Sequence, residues 1–243
     1  MKAAVQIVGL NALERMAEAP QFNQWMYTTI APYLNGNILE IGSGIGNLSS
    51  FFIADGKHIT LSDYDLEYVT LLKEKFRKHK VADIYQLDLA QPDFTFQFAH
   101  LANSFDSVFL LNVLEHIADD YLAVQYCRFL LKPGGRLIIL VPSYSFLFSK
   151  MDRLLGHYRR YTKASLKKVI IGNNLEVCKT FYFNFLGMAG WWWNKIFDKA
   201  EISETKMNLF NRLVPLAKLL DKITLQQAGL STIIVAQKPE NGT

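Results

Sequence analysis

Cysteine is scarce in this 243-residue chain, which carries only Cys127 and Cys178, far apart in sequence. Two such residues cannot frame a disulfide scaffold, so both thiols are expected to be reduced and buried in apolar surroundings. No uninterrupted apolar run reaches the roughly 18 residues that a membrane-crossing helix needs. The opening residues Met1-Lys2-Ala3-Ala4-Val5-Gln6 lack the long apolar stretch and small-residue cleavage site of a signal peptide, and the expected compartment is the cytoplasm. Repeats and low-complexity tracts are missing too. Excess charge is small: 26 Lys and Arg against 22 Asp and Glu, a net charge of +4. A dedicated nucleic-acid face needs more than that. What the chain does have is apolar bulk, 50% of its residues, enough for one compact core with additions.

The stretch richest in chemistry is Ile38-Leu39-Glu40-Ile41-Gly42-Ser43-Gly44-Ile45-Gly46-Asn47. It reads as a buried strand ending near an acid, then a glycine-rich turn opening a helix. Such a turn takes positive φ angles, and the absence of Cβ atoms lets a ligand approach the backbone. Free N–H groups at a helix start can receive a ligand's polar groups. The dinucleotide fingerprint is G-x-G-x-x-G, whereas glycines at 42, 44 and 46 give G-x-G-x-G. A second strand, His58 to Asp63, ends in a carboxylate 23 residues beyond Glu40, placed to bond both hydroxyls of a ribose. A third strand, Ala82 to Leu87, leads into Asp88, and a fourth, Phe105 to Leu111, into Asn112. Taken singly, each of these is as ordinary as any surface carboxylate or turn cap. Four polar residues at successive strand ends point to one ligand site on the carboxyl edge of a parallel sheet.

Together with Leu61-Ser62-Asp63, Leu87-Asp88-Leu89, Phe105-Asp106-Ser107-Val108 and Leu130-Leu131-Lys132-Pro133-Gly134-Gly135-Arg136-Leu137, this stretch resembles the class I S-adenosylmethionine (SAM) dependent methyltransferases. The resemblance covers residues 36 to 141. It implies an α/β, Rossmann-like seven-stranded sheet of order 3-2-1-4-5-7-6 with strand 7 antiparallel. It places Gly42 and Gly44 near the methionine moiety, Asp63 on the ribose, Asp88 on the adenine amino group and Leu89 beside the ring. The expected SAM set is Glu40, Gly42, Ser43, Gly44, Asn47, Asp63, Tyr64, Asp88, Leu89 and Asn112.

Two further motifs overhang the place where such a fold presents the methyl group: Asn112-Val113-Leu114-Glu115-His116-Ile117 and Gly156-His157-Tyr158-Arg159-Arg160-Tyr161-Thr162. Methyl transfer needs alignment and, for a hydroxyl acceptor, removal of a proton. Histidine suits that task near neutral pH, which makes His116 and His157 the candidate catalytic pair. The region is also similar to the O-methyltransferases of ubiquinone biosynthesis and the small-RNA 3′-end 2′-O-methyltransferases. These bind a divalent metal through Glu-x-x-Glu-His and a later histidine. Here Glu115, His116 and His157 match, but Asn112 stands in place of the first carboxylate. Two readings stay open: a metal site, or a metal-free pair in which Glu115 and His116 orient the local helix. Arg159 and Arg160, with Tyr158 and Tyr161, are either solvated loop residues or a rim that holds an anionic group of the substrate. Tyr27, on an N-terminal helix, is a further candidate substrate contact.

Between strands six and seven an insertion at about 184–228 carries Trp191-Trp192-Trp193 in its opening stretch. Three consecutive tryptophans cannot all face one side of a helix. The insertion either completes the core, forms a dimer interface, covers a lipophilic substrate or rests on a membrane. A second amphipathic helix, Met207 to Ile223, follows, with Pro215 expected to bend or interrupt it. The layout is similar over nearly the whole chain to a bacterial group of methyltransferases that share these motifs and a Gly-Leu-Ser-Thr final strand, here Gly229 to Thr232.

The plan is one methyltransferase domain over residues 1–243: a helical lid (1–35), a SAM-binding core (36–141) and a substrate-side half (142–243). The expected activity is methyl transfer from SAM to a small lipophilic or aromatic acceptor, at oxygen first, by a monomer or homodimer that acts on no nucleic acid and touches membrane only peripherally. The alternative is a non-catalytic SAM-binding scaffold that uses its Trp-rich insertion to bind a partner.

Overall fold

A computed structural model describes residue 10, residues 12–196 and residues 204–240. The first nine residues of the expected lid, and residues 197–203 of the insertion, lie outside the described residues. Seven strands form one sheet: β1 (Ile38–Ile41), β2 (Ile59–Asp63), β3 (Asp83–Gln86), β4 (Phe105–Leu111), β5 (Leu131–Pro142), β6 (Glu176–Phe183) and β7 (Ser231–Gln237). Their order is β3-β2-β1-β4-β5-β7-β6. β1 to β5 run parallel, and β7 lies antiparallel between β5 and β6, as the resemblance implied.

The central strands are apolar on both faces because helices cover both. Alternation sorts them into two cores. Leu39, Ile41, Val108, Leu110, Leu137 and Ile139 face one cluster, and Ile38, Phe109, Ile138 and Leu140 face the other. Described helices are α1 (Pro20–Ile30), α2 (Ser49–Ala54), α3 (Leu66–Lys75), α4 (Phe94–Gln97), α5 (Asp120–Leu130), α6 (Lys150–Leu154), α7 (Lys163–Gly172), α8 (Phe185–Ile196) and α9 (Glu204–Ile223). A helical segment at 12–17 precedes them. Polar caps set several starts: Asp65 accepts from Glu67 N at 2.9 Å before α3, and Asp119 from Leu122 N at 2.9 Å before α5.

β5 begins at Leu131, where it pairs with Phe105. Two expectations change. Pro215 does not interrupt α9, which continues through it. Cys127 is buried but Cys178 is exposed, because it sits on the edge strand β6 where one face is open.

Candidate active site

β1 and β4 are neighbours whose chain connections leave in opposite directions, so a crevice opens at their carboxyl ends. Gly42, at φ +75°, begins the turn after β1, and a Cβ there would meet Val113 Cγ2 at 2.3 Å. The loops after β1 and β4 therefore touch, which brings the glycine turn beside the Glu115-His116 segment. Gly42 N and Ser43 N both donate to Ser62 O at 2.9 Å, folding the turn onto β2.

Asp63, at the tip of β2, accepts from Gly44 N at 2.8 Å and from Asp65 N at 3.0 Å. It is buried, and burial raises its pKa to about 6 despite these N–H donors. Glu40 is buried on the α2 side, where Ser49 Oγ donates to it, and burial pushes its pKa up to about 7. Two carboxylates thus flank the glycine turn, a setting that favours a cationic ligand. Asn47 does not point at the turn: its amide donates to Leu13 O at 2.8 Å. It thereby ties down the 12–17 segment, whose Leu13 side chain lies against Gly44.

The outer part of the crevice is more open. Tyr64 is exposed, and Asp88 is half-buried with Oδ1 accepting from Ala90 N at 2.8 Å. Leu89 is buried in the core cluster. Asn112 has φ +54° and an exposed side chain, while its N–H donates to Leu140 O at 2.8 Å.

Beyond the tip of β4, one ligand atom each from Glu115, His116 and His157 lies within 4.8 Å of the others. The two imidazoles are perpendicular, with centroids 4.6 Å apart. Glu115 is 0% exposed and neither carboxylate oxygen has a hydrogen-bond partner. Burial raises its pKa to about 8, although the charge of Arg160 opposes the rise. His116 is exposed at the surface, yet desolvation of its ring and the neighbouring His157 hold its pKa down to about 4.

His157 is held from behind. Its Nδ1 lies 2.9 Å from Asp152 Oδ1, and Asp152 is fully buried. The same carboxylate accepts from Arg160 Nε at 2.8 Å and Nη2 at 3.1 Å, and from Ser149 N at 2.8 Å and Oγ at 2.9 Å. Burial would raise its pKa, but the hydrogen bonds from His157 and Arg160 outweigh that and bring it to about 2. An ionised Asp152 only accepts, so it draws the proton onto Nδ1 and leaves the Nε2 lone pair free. Trp191 closes the assembly: its ring lies 4.7 Å from Arg160 Cζ and its Nε1 donates to Leu147 O at 3.2 Å.

Asp152 is a site residue that the motifs do not single out, and Trp191 is one of three tryptophans that they leave unsorted. Asp152 is the one acid between Asp120 and Glu176, in a strongly basic stretch, and it ends a Ser-x-x-Asp capping box; both signals were present. For Trp191 the sequence pattern offers only that the three tryptophans must diverge. Trp192 and Trp193 are indeed 53% and 58% exposed.

The expected substrate residues divide. Arg160 is buried and its guanidinium is committed to Asp152 and Ser143 O, so it orders the site from within. Arg159 pairs with Asp120 Oδ2 at 2.9 Å, and the buried Tyr161 donates to the same oxygen at 2.8 Å. Tyr158 stands at the surface, 61% exposed. Tyr27 is not brought to this edge: it packs on Phe51 and Phe52, and its hydroxyl donates to Asp55 just past the far end of α2. The other histidines, His58, His79 and His100, are exposed and lie elsewhere.

Sheet order, reversed last strand and crevice define the class I SAM-dependent methyltransferase fold. Residues 39–137 match the family model described as methyltransferase domain. A ubiquinone biosynthesis O-methyltransferase from Xylella fastidiosa (strain 9a5c) is 31% identical over 108 residues, which are 44% of this chain and 42% of that protein. The chain therefore matches less than half the length of this curated relative. Phosphoethanolamine N-methyltransferase 2 of Haemonchus contortus, solved in complex with S-adenosyl-L-methionine, superposes with a TM-score of 0.56 at 19% identity, covering 89% of this chain and 52% of that one. The [4+2]-cyclase SpnF superposes at 0.59 with 16% identity, covering 89% of this chain. One fold thus hosts more than one chemistry, and the reaction must be argued from the site.

Proposed function

We propose that this protein transfers the methyl group of SAM to an oxygen of a small lipophilic or aromatic acceptor. The observation that carries this reading is the buried His157–Asp152 pair, which stands with His116 beyond the tip of β4. The sulfonium of SAM is cationic and loses its charge on transfer, and the carboxylates Glu40 and Asp63 flanking the glycine turn support the binding of a cation there. Asp63 keeps lone pairs for the ribose hydroxyls, and Asp88 for the adenine amino group. The acceptor hydroxyl gives its proton to His157 Nε2 as its oxygen attacks the methyl carbon, and Asp152 steadies the imidazolium that forms. His116, held neutral, serves as a positioning partner. Trp191 and the exposed Tyr158 offer aromatic surface for a planar or greasy acceptor. The O-methyltransferase name of the Xylella relative agrees with oxygen as acceptor.

A divalent cation is the second reading, and Glu115 favours it. A fully buried carboxylate with both oxygens unpartnered, beside two imidazoles, is a costly arrangement unless a charge is added. The N,N,O donor set suits zinc or a similar ion, with Glu115, His116 and His157 holding it. When bound, the ion would lower the pKa of a coordinated acceptor hydroxyl. Asp152 would then orient His157 as a ligand instead of a base.

The test is transfer of labelled methyl from SAM into a cell extract by the purified protein. Incorporation lost in His157→Ala supports the proposal. No incorporation, with or without added Mg²⁺ or Zn²⁺, overturns it in favour of a non-catalytic SAM-binding scaffold.

A further inference from the structure

Helix α9 is apolar on two opposite faces. Met207, Val214 and Ala217 are buried, packing α9 inward, Val214 and Ala217 within the core cluster that holds Trp25 and Phe183. On the other side Leu209 (58%), Leu216 (46%), Leu219 (52%) and Ile223 (67%) are exposed, with Leu213 at the margin. A helix apolar all round is normally buried, and exposed apolar stripes mark contact surfaces. Just past the helix, Leu225 is 76% exposed and held at φ +49°, a conformation that a leucine adopts only when its surroundings impose it.

Charge indicates what covers this stripe. Arg212, Lys218 and Lys222 border it, and none forms an ion pair among the described residues. Between Thr205 and Ile223 the one acid is Asp221. That carboxylate is buried and accepts from Asn184 N and Phe185 N at 2.8 and 2.7 Å. A second copy of the same helix would bring cations against cations. Between α1 and the end of α9 runs a groove of about 530 Å³, lined by Trp25, Thr28, Lys218, Lys222 and Leu225, with Asp221 in its wall. Two lysines one turn apart make a seat for a phosphate headgroup, with the exposed Leu225 in the same groove and the leucine stripe further round α9 to enter acyl chains.

We propose that the outward face of α9, with its lysine-lined groove, docks this protein on an anionic lipid bilayer. The surface is independent of the proposed chemistry, so its failure would leave the methyl-transfer reading intact. The experiment is sedimentation of the full chain with vesicles of phosphatidylcholine alone or mixed with phosphatidylglycerol. Partitioning should require phosphatidylglycerol and weaken with salt. Lys218→Ala/Lys222→Ala should reduce it roughly twenty-five-fold, a factor of about five per cation. Leu216→Gln/Leu219→Gln should reduce it at least about tenfold with only a small shift of the melting curve, since both side chains are about half exposed. Equal binding to both vesicle types, or binding indifferent to both double variants, overturns the proposal. So does a dimer on gel filtration that Leu216→Gln/Leu219→Gln dissolves, because the stripe would then belong to a second copy. Binding to an acidic protein but to neither vesicle type overturns it as well.

Discussion

His157 and Asp152 share a 2.9 Å hydrogen bond in which the carboxylate is completely buried and the imidazole nearly so. Arg160 neutralises the carboxylate from the other side. The histidine is thus held in one orientation and one tautomer before any substrate arrives. Asp152→Asn is expected to lower the methyl-transfer rate by about 10²–10⁴-fold. Cofactor affinity should change by less than about threefold, because Asp152 lies behind His157 and not at the glycine turn. Stopped turnover paired with cofactor titration checks this, and Asp152→Glu should restore part of the rate. A parallel loss of cofactor binding would remove Asp152 from the positioning role.

Asp63 both holds Gly44 and faces the expected ribose. Asp63→Ala should weaken SAM retention by about 10–100-fold, the usual range for bonds to a charged group. Equilibrium dialysis with labelled SAM measures it; unchanged retention would dissociate Asp63 from the cofactor.

The two acids at the turn make cofactor binding proton-linked. Glu40 and Asp63 have pKa values of about 7 and about 6 in the free protein, both raised by burial. A bound cation favours their ionised forms and draws those values down, so binding near pH 6.5 releases protons. Affinity should rise with pH and level off above about pH 7.5. Calorimetry in buffers of different ionisation heat gives the proton count, and a count of zero contradicts it. The same shifts act on folding: an acid raised in the folded state costs stability as pH climbs from its unfolded value to its folded one. Glu40→Gln should therefore stabilise the free protein at pH 8 by on the order of 1 kcal/mol.

Glu115 gives the cation its own readout. On the cation reading, Zn²⁺ or Mg²⁺ raises the melting temperature of the wild type, and neither His157→Ala nor Glu115→Gln responds. Identical melting curves with and without ions in all three would leave the metal-free reading standing.

Trp191→Ala should destabilise the fold by about 1–3 kcal/mol, through the lost ring over Arg160 and the lost bond to Leu147 O. Trp192→Ala should cost less than about 1 kcal/mol, because that side chain is mostly in solvent. Chemical denaturation of the two variants compares them directly.

Local rules were enough for the frame. Glycines at 42, 44 and 46, acids at the ends of β1 and β2 and the alternating strand–helix pattern announce a cofactor crevice on a parallel sheet. These signals are short-range, since a turn that needs positive φ and a strand that needs burial on both faces leave their mark within a few residues. Partnership could not be read the same way. Whether Arg160 reaches out to substrate or in to Asp152, whether Asn47 meets cofactor or Leu13, and whether Tyr27 stands at the crevice or at the far end of α2 depend on chain crossings across the sheet. The same holds for the buried, unpartnered Glu115 beside two histidines and for the second apolar face of α9. A side chain's charge and shape are written in its own residue, but its desolvation and its partner come from whatever the fold packs against it.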